Sequence, residues 1–384
     1  MITCYRKQYA VGQGGLHLGM VSYPYHYMNV YNNFAYIYDC GCSGGENIIK
    51  KNIDDIIDKL QKTRTLKYLY IFISHVHADH TSGIRYLCEQ LVKSELYNKI
   101  PPEHIVFVLP FMSETDKLMA IGGLLFKDEN NVINNEPLYF IQNPRNIINE
   151  NFDIQYLSDI PPQRTLLYQR FDSYDIPPAY NGFLSHYDSF IFQATNKKYN
   201  WLILPYYYRG NCRDAKQLQK ELSDAGININ NFSKDKYLTS LREIYERYCP
   251  NLNLPSLCLY SGANDTIDYI QTGWLHTGDI DFYKDEQLAY KGLIDHYESF
   301  LNNIRVVQIP HHGSSENSKM EDFSIFNNVN TYFITTQSVT NGRQCPHVSQ
   351  EYKNKDRIIL LMEDGKKHLW SYEQGNGVIW GNIV

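Results

Sequence analysis

Long apolar stretches are absent from this sequence of 384 residues. No run approaches the roughly 20 apolar residues that a membrane-spanning helix needs. The first residues, 1–7 (MITCYRK), also lack the apolar core of a secretory signal peptide. We therefore predict a protein without a membrane segment that is located in the cytoplasm.

Paired cysteines are also missing. The eight cysteines are scattered, and none forms a Cys-x-x-Cys pair. A disulfide framework or a zinc ribbon is therefore not indicated, and free thiols in a reducing compartment are the better interpretation. The closest two, Cys40 and Cys42, flank a single glycine, and we interpret them as part of a tight turn.

An excess of positive charge is the third absence. The formal net charge is −6, which excludes an overall basic surface of the kind that binds nucleic-acid backbones. It does not exclude a nucleic-acid substrate, because bound divalent ions add positive charge that composition does not show. Tyrosine, in contrast, occurs 33 times. Its rings would either stack on bases or sugars or fill core and surface positions, and the second interpretation is the one that we favour.

The apolar pattern alternates between helical and strand periods in the first part of the chain. Helical spacing occurs at residues 46–62 and 84–92, and buried strands are indicated at residues 68–73 and 105–109. Such alternation favours a layered α/β domain.

The middle of the chain is less regular. Residues 138–141 (LYFI) are predicted as a short strand, and two helices are predicted at residues 213–225 and 234–248. We interpret residues 205–252 as a partly helical insertion packed on the main domain, with a small subdomain as the alternative. Because no low-complexity linker marks a boundary, we predict one domain over residues 1–384 that contains this insertion.

Four side chains able to bind a metal ion follow directly on the predicted strand at residues 68–73. They are His75, His77, Asp79 and His80. Histidines two residues apart point to the same side of an extended segment, and the next aspartate and histidine reach a second point nearby. Imidazole and carboxylate together suit zinc, manganese or iron. The cluster therefore predicts a metal site, with a coincidental polar loop as the alternative.

Later polar residues repeat this arrangement at the ends of apolar strands. Asp279 lies in a Thr-Gly-Asp segment, and a carboxylate there can bridge two metal ions through its two oxygens. His311 and His312 are adjacent and point in different directions, so one is predicted to bind metal while the other contacts either the substrate or the metal ligands. His347 is an isolated candidate, with a plain surface histidine as the alternative.

Taken in order, these motifs resemble the metallo-β-lactamase superfamily, and more narrowly the β-lactamase-like domain of ComEC-type DNA-uptake proteins and their free-standing relatives. Residues 11–14 (VGQG) are similar to the opening loop of that family, although Gly15 stands where aspartate is usual. Residues 38–41 (YDCG) are similar to its Asp-x-Gly block. Residues 275–279 and 309–314 are similar to its Thr-Gly-Asp and His-His-Gly-Ser blocks.

The resemblance implies an α/β fold, a four-layer αββα metallo-β-lactamase sandwich with a partly helical insertion, that binds two divalent metal ions, zinc or manganese. It implies that one ion is held by His75 and His77 and the other by Asp79 and His80, with Asp279 between them. His312 matches the position of the superfamily's last histidine ligand. The third ligand of the first ion stays open. His186 is one candidate, and the ComEC-type pattern offers Asn253 instead.

The function implied is that of a metal-dependent hydrolase, a dinuclear phosphodiesterase or nuclease that uses a metal-bound hydroxide on nucleic acid or a nucleotide. Asp79 would orient the attacking water, and His311 or His347 would protonate the leaving oxygen or stabilise its charge. Two alternatives remain open: a hydrolase of small esters, lactones or thioesters, and a non-enzymatic interaction module. Action in DNA uptake would require a protein partner, because the sequence has no channel segments.

Overall fold

The computed structural model of the protein describes residues 3–24, 31–127, 135–158, 183–185, 190–193, 200–208, 215–231, 235–248, 256–263, 273–283, 287–314, 317–326, 332–337, 359–363, 368–374 and 377–383. Over these ranges the chain forms one sheet of nine strands and one of seven, flanked by helices. None of the helices found there is long and apolar enough to cross a membrane.

The strands are numbered in chain order. They are β1 (Thr3–Gln8), β2 (Gly14–Pro24), β3 (Tyr31–Cys42), β4 (Leu66–Phe72), β5 (Ile105–Pro110), β6 (Asp153–Ser158), β7 (Phe183–Ser185), β8 (Phe190–Gln193), β9 (Asn200–Tyr208), β10 (Ser256–Ala263), β11 (Gly273–His276), β12 (Ile304–Gln308), β13 (Tyr332–Gln337), β14 (Ile359–Glu363), β15 (His368–Gln374) and β16 (Gly377–Ile383). The first sheet has the order β16-β15-β1-β2-β3-β4-β5-β6-β7, and the second has the order β14-β13-β12-β11-β10-β9-β8.

The helices are numbered in the same way. They are α1 (Glu46–Lys62), α2 (Ala78–Thr81), α3 (Ile84–Lys93), α4 (Leu96–Lys99), α5 (Glu114–Lys127), α6 (Asn135–Gln142), α7 (Ala215–Asp224), α8 (Asp235–Tyr248) and α9 (Leu288–Tyr297). Short 3-10 turns accompany them, among them His311–Gly313 directly after β12.

Successive side chains along each strand point to opposite faces of the sheet and so belong to two different apolar layers. In β3, Ala35 and Ile37 pack with α1 and α3 on the outer face, whereas Phe34, Tyr36 and Tyr38 pack against the second sheet. A strand points successive side chains to opposite faces, so a run that is apolar throughout is buried on both. Five tyrosines, Tyr36, Tyr38, Tyr68, Tyr70 and Tyr207, belong to the apolar layer between the sheets.

Helices cover the outer face of each sheet. The buried side chains of α1 and α3 pack on the first sheet, and those of α9 pack on the second. This order of layers is helix, sheet, sheet, helix, and the predicted αββα sandwich is confirmed.

A further group of helices packs together through α5, α6, α7 and α8. Residues 138–141, predicted as a strand, are helical, and that prediction was wrong. Leu138 and Ile141 lie three positions apart and both face this group, so a run of four apolar residues satisfied the helical period equally well.

Residues 205–208 belong to β9, which pairs with β10. That residues 205–252 are an insertion stays a proposal.

Parallel strands place the predicted site residues at one edge of the sandwich. In the first sheet β3, β4 and β5 run parallel, and in the second β11 and β12 do. The segment His75–His80 follows β4, Asp279 follows β11, and His311 follows β12. Because the carboxyl ends of parallel strands lie on one side of a sheet, each sheet contributes one half of the site. The halves are joined by a hydrogen bond of 2.8 Å from Leu257 N to Ser74 O.

Two buried histidines lie between the sheets. The rings of His17 on β2 and His276 on β11 have centroids 4.3 Å apart. Burial lowers the pKa of His276 to about 3. Burial, together with His276 and Arg6, lowers the pKa of His17 well below its ordinary value. Both rings are therefore neutral in the folded protein.

We expect these two histidines to make the free energy of unfolding fall as pH decreases from about 7 to about 5. Each binds a proton near pH 6.5 only in the unfolded chain. The unfolded state therefore binds more protons in this window, and stability is lost at up to about 1.4 kcal/mol per pH unit for each ring. The variant His17→Leu should show a smaller pH dependence than the wild type in urea unfolding at several pH values. Identical slopes for the two proteins would contradict the assignment.

Candidate metal centre

Seven of the predicted site residues come together where the loops after β4, β11 and β12 meet. They are His75, His77, Asp79, His80, Asp279, His311 and His312. Most are buried, whereas the side chain of His311 remains 27% exposed. The other candidates, His186, Asn253 and His347, lie outside the described residues.

Asp279 occupies the middle of this cluster. Its Oδ2 lies 3.4 Å from Nε2 of His75, and its Oδ1 lies 3.3 Å from Nε2 of His80. The same Oδ1 is 4.0 Å from Nε2 of His312. One carboxylate therefore faces histidines from two directions, which is the arrangement expected of a ligand shared by two ions.

The donor atoms form three overlapping groups, each with its members within 4.8 Å of one another. The groups are His75, His77 and Asp279; His75, Asp79 and His80; and His80, Asp279 and His312. Histidine and aspartate in groups of this size suit zinc or manganese. The first group supplies Asp279 as a third donor beside His75 and His77.

Two buried polar atoms in the cluster indicate that these residues fit a metal ion. Nε2 of His80 and Oδ1 of Asp279 are buried without a hydrogen-bond partner in the described part of the chain, although they face each other at 3.3 Å. Leaving a buried polar atom unpaired costs about 1–3 kcal/mol. A cation bound by both atoms removes that cost, so the residues present fit a divalent metal ion.

The electrostatics of the cluster also favour a cation. Burial by itself raises the pKa of Asp79 and Asp279, but His80 and the other nearby histidines lower both pKa values below their usual range. Burial by itself lowers the pKa of His80, and Asp39, Asp279 and Asp79 together raise it well above its ordinary value. The carboxylates are therefore ionised.

Asp39 supports the cluster from behind. Its Oδ1 accepts a hydrogen bond from Ser74 N at 2.7 Å, and its Oδ2 accepts one from Ser74 Oγ at 2.9 Å. Oδ2 also lies 2.7 Å from Nδ1 of His80. With Nδ1–H directed at this fully buried carboxylate, Nε2 of His80 is presented to the centre, as in carboxylate–histidine–metal arrangements. Asp39 has a φ of 58°, a rare backbone conformation that occurs often at functional sites.

Sequence reasoning assigned no role to Asp39. The available signal was its position in the Asp-Cys-Gly block at the end of β3. Nothing in that block indicates that its carboxylate reaches His80, 41 residues further along the chain.

Two glycines let the backbone of the metal motif approach the sheet closely. A Cβ atom at Gly41 would lie 2.5 Å from the backbone nitrogen of Thr81 and 2.6 Å from the carbonyl carbon of His80. A Cβ atom at Gly14 would lie 2.6 Å from the carbonyl oxygen of Asp79. Only glycine fits at such distances, so the turn at residues 78–81 is placed by direct backbone packing.

We expect Gly41→Ala to displace this turn and weaken metal binding. The added methyl group meets backbone atoms that have little freedom to move. It should therefore lower the free energy of unfolding by about 1–3 kcal/mol and the metal affinity by at least about tenfold. Calorimetric zinc titration and urea unfolding would measure the two effects. Gly45→Ala is the control, because its Cβ meets nothing within 4 Å and only backbone strain is added. Equal zinc affinity in the Gly41→Ala and wild-type proteins would refute the packing role.

The histidine pair after β12 lies in a tight left-handed turn. His311, His312 and Gly313 have φ values of 47°, 54° and 80°. The backbone nitrogen of His311 donates to the carbonyl oxygen of Gly278 at 3.1 Å, which ties this turn to the Asp279 loop. Nε2 of His312 lies 3.1 Å from Oδ2 of Asp79. The turn thus directs His312 into the cluster, while the ring of His311 lies at its exposed edge.

The fold and this cluster define a class: an αββα sandwich with a buried histidine–aspartate centre, suited to divalent metal ions, at the carboxyl ends of its strands. Residues 27–109 match the profile of the Metallo-beta-lactamase superfamily, a superfamily of metal-dependent hydrolases. The matched segment includes β4 and the His75–His80 motif. This segment of the chain is therefore similar to the metallo-beta-lactamase superfamily.

Solved structures of low similarity span almost the whole chain. One is unliganded yeast PDE1, at 10% identity and a TM-score of 0.38, covering 96% of this chain and 99% of that one. Another is the metallo-beta-lactamase fold protein YhfI from Bacillus subtilis, at 8% identity and a TM-score of 0.41, covering 97% and 100%. These scores are too low to bear on function. No curated protein matches the sequence.

Proposed function

We propose that this protein is a dinuclear metal-dependent phosphodiesterase or nuclease. The observation that carries the proposal is the position of Asp279, whose two oxygens face His75 at 3.4 Å and His80 at 3.3 Å. A carboxylate shared in this way supports two adjacent ions, and two adjacent ions suit the in-line displacement by which phosphodiesters are cleaved.

The charge of the centre favours an anionic substrate. Asp79 and Asp279 are ionised and face the cluster. With Asp39 behind His80 counted as a third carboxylate, a single divalent ion would leave the centre negative, whereas two ions would leave a net positive charge. Such a centre attracts a phosphodiester more strongly than a neutral ester or lactone. This argument favours phosphodiester hydrolysis over the hydrolysis of small esters on the same fold.

The chain's own residues would have distinct tasks in this reaction. When bound, the two ions would polarise the phosphoryl group and lower the pKa of water. His75, His77 and Asp279 would hold one ion, and Asp79, His80, His312 and Asp279 would hold the other. Asp79 would also orient the attacking water. His311, at the exposed edge, would contact the leaving oxygen and donate a hydrogen bond or a proton to it.

Further parts of the proposal rest on the sequence. His186 as an additional ligand and His347 as a second group at the leaving oxygen stay proposals, as does membership in the ComEC-type branch. We also propose a cytoplasmic location. The buried free thiols of Cys40, Cys88 and Cys258 are consistent with a reducing compartment.

The test is a panel of substrates given to the purified, metal-loaded protein. It would contain single- and double-stranded DNA, RNA, cyclic dinucleotides and bis(p-nitrophenyl) phosphate, with a p-nitrophenyl ester and a thioester as alternatives. His77→Ala and Asp79→Ala proteins serve as controls for contaminating enzymes. We expect phosphodiester cleavage that is lost in both variants. Ester or thioester hydrolysis without phosphodiester cleavage by protein with two bound metals would refute the proposal, and hydrolysis of no substrate would favour an interaction module.

A further inference from the structure

Asn317 contacts the one histidine of the cluster that belongs to none of the three donor groups. The side chain of Asn317 is 2% exposed, and its Oδ1 lies 2.6 Å from Nδ1 of His311. Its backbone is fixed as well, since Asn317 O accepts from Phe282 N at 2.9 Å and Asn317 N donates to Ser314 O at 3.2 Å. Asn317 is therefore a rigid, buried hydrogen-bond partner behind the ring of His311.

This contact determines which nitrogen of His311 carries the proton. With the amide of Asn317 oriented as it is in the structure, its oxygen faces Nδ1 and only accepts hydrogen bonds, so Nδ1 carries the proton. In the neutral ring, Nε2 then carries a lone pair, and in the protonated ring Nε2–H is the donor that faces the centre. The partner of His311 is a neutral amide, whereas the partner of His80 is the carboxylate of Asp39.

The second nitrogen of His311 faces the metal cluster. Its Nε2 lies 3.9 Å from Oδ2 of Asp279, the oxygen that also faces His75. Two acceptors do not attract each other across such a gap, so the arrangement suits a hydrogen-bond donor placed between them. A water molecule or a substrate hydroxyl has this property.

We propose that Asn317 is a positioning residue, which holds His311 in the Nδ1–H tautomer with Nε2 directed at the reacting atoms beside Asp279. This inference deepens the proposed function and rests on it for its catalytic consequence. The tautomer itself can be measured without any substrate. Failure of the positioning role and failure of the phosphodiesterase proposal are therefore distinguishable.

The first measurement is nitrogen-15 NMR of the histidine rings in the zinc-loaded protein at alkaline pH, where imidazole is neutral. The signals of His311 are assigned by their loss in His311→Gln. We expect the Nδ1–H tautomer in the wild type and in Asn317→Asp, which keeps an acceptor oxygen. We expect its loss in Asn317→Leu, which is similar in size but has no acceptor. An Nε2–H tautomer in the wild type, or an unchanged tautomer in Asn317→Leu, would overturn the proposal.

The second measurement is a double-mutant cycle with bis(p-nitrophenyl) phosphate. Asn317→Leu should lower kcat by about 100-fold, the scale associated with a misplaced catalytic group, with unchanged zinc content. The same substitution should have little effect in a His311→Ala background, because no ring is left to position. Ser318→Ala is the matched control, because Ser318 is buried beside Asn317 and its hydroxyl has no hydrogen-bond partner in the described segments. The Ser318→Ala protein should be as active as the wild type. An equal loss from Asn317→Leu in both backgrounds would show a merely structural role.

Discussion

Asp279→Asn is expected to abolish binding of at least one metal ion and to lower kcat/KM for phosphodiesters by about 10³-fold or more. The substitution keeps the size of the side chain but removes its negative charge. It also replaces one acceptor oxygen by an NH₂ group, which would face His75 or His80 across gaps of 3.4 and 3.3 Å. The metal supplies several kcal/mol of transition-state stabilisation, and each 1.36 kcal/mol corresponds to a factor of ten in rate.

Elemental analysis and zinc calorimetry would measure the first effect, and hydrolysis of bis(p-nitrophenyl) phosphate the second. Asp281→Asn provides a matched control. Asp281 is also buried and lies two residues away, but its Oδ1 accepts a hydrogen bond from Tyr283 N at 2.9 Å, which asparagine can still accept. We expect the control to keep its full metal content. Two ions bound at wild-type affinity in Asp279→Asn would rule out a bridging role for this carboxylate.

Asp39→Asn is expected to weaken metal binding by about 10- to 100-fold, although Asp39 faces away from the centre. Asparagine tolerates the left-handed backbone that Asp39 adopts at a φ of 58°, so the substitution isolates the loss of charge from backbone strain. His80 then loses the carboxylate that holds its Nδ1–H at 2.7 Å, and its Nε2 is no longer fixed toward the centre.

The same substitution should lower the stability of the metal-free protein by about 1–3 kcal/mol, because three hydrogen bonds converge on this buried carboxylate. Urea unfolding in the presence of a chelator separates this loss from the loss of metal affinity. Asp54→Asn is the control, since Asp54 pairs with Tyr86 at the surface. Unchanged zinc affinity in Asp39→Asn would mean that His80 is oriented by other contacts.

Much of the candidate site follows from local sequence. One turn after one strand brings four of the predicted ligands together, because they lie within six positions of the sequence: His75, His77, Asp79 and His80. Asp279 and His312 were predictable because each follows an apolar strand whose carboxyl end meets the same edge. Asp39 and Asn317 were not predictable in their roles. Asp39 contacts a ring 41 residues away, and Asn317 lies in a loop whose path depends on the left-handed turn at His311 and His312.

The fold class was likewise predictable, whereas parts of its detail were not. Alternation of strands and helices at residues 46–109 indicates layers directly. The run at residues 138–141 was misassigned because four apolar residues fit the period of a helix and that of a buried strand equally well. In the structure these residues form a helix that packs with α5. His186 and His347 stay predictions.

The division of the centre between the two sheets has a thermodynamic consequence. His75, His77, Asp79 and His80 extend from the first sheet, and Asp279 and His312 extend from the second. An ion bound by both sets is a non-covalent cross-link between the halves of the sandwich. By mass action it adds RT ln(1 + [metal]/Kd) to the free energy of unfolding, about 4 kcal/mol at a thousandfold excess over Kd. Metal supply would thus govern how long the folded protein persists as well as whether it acts.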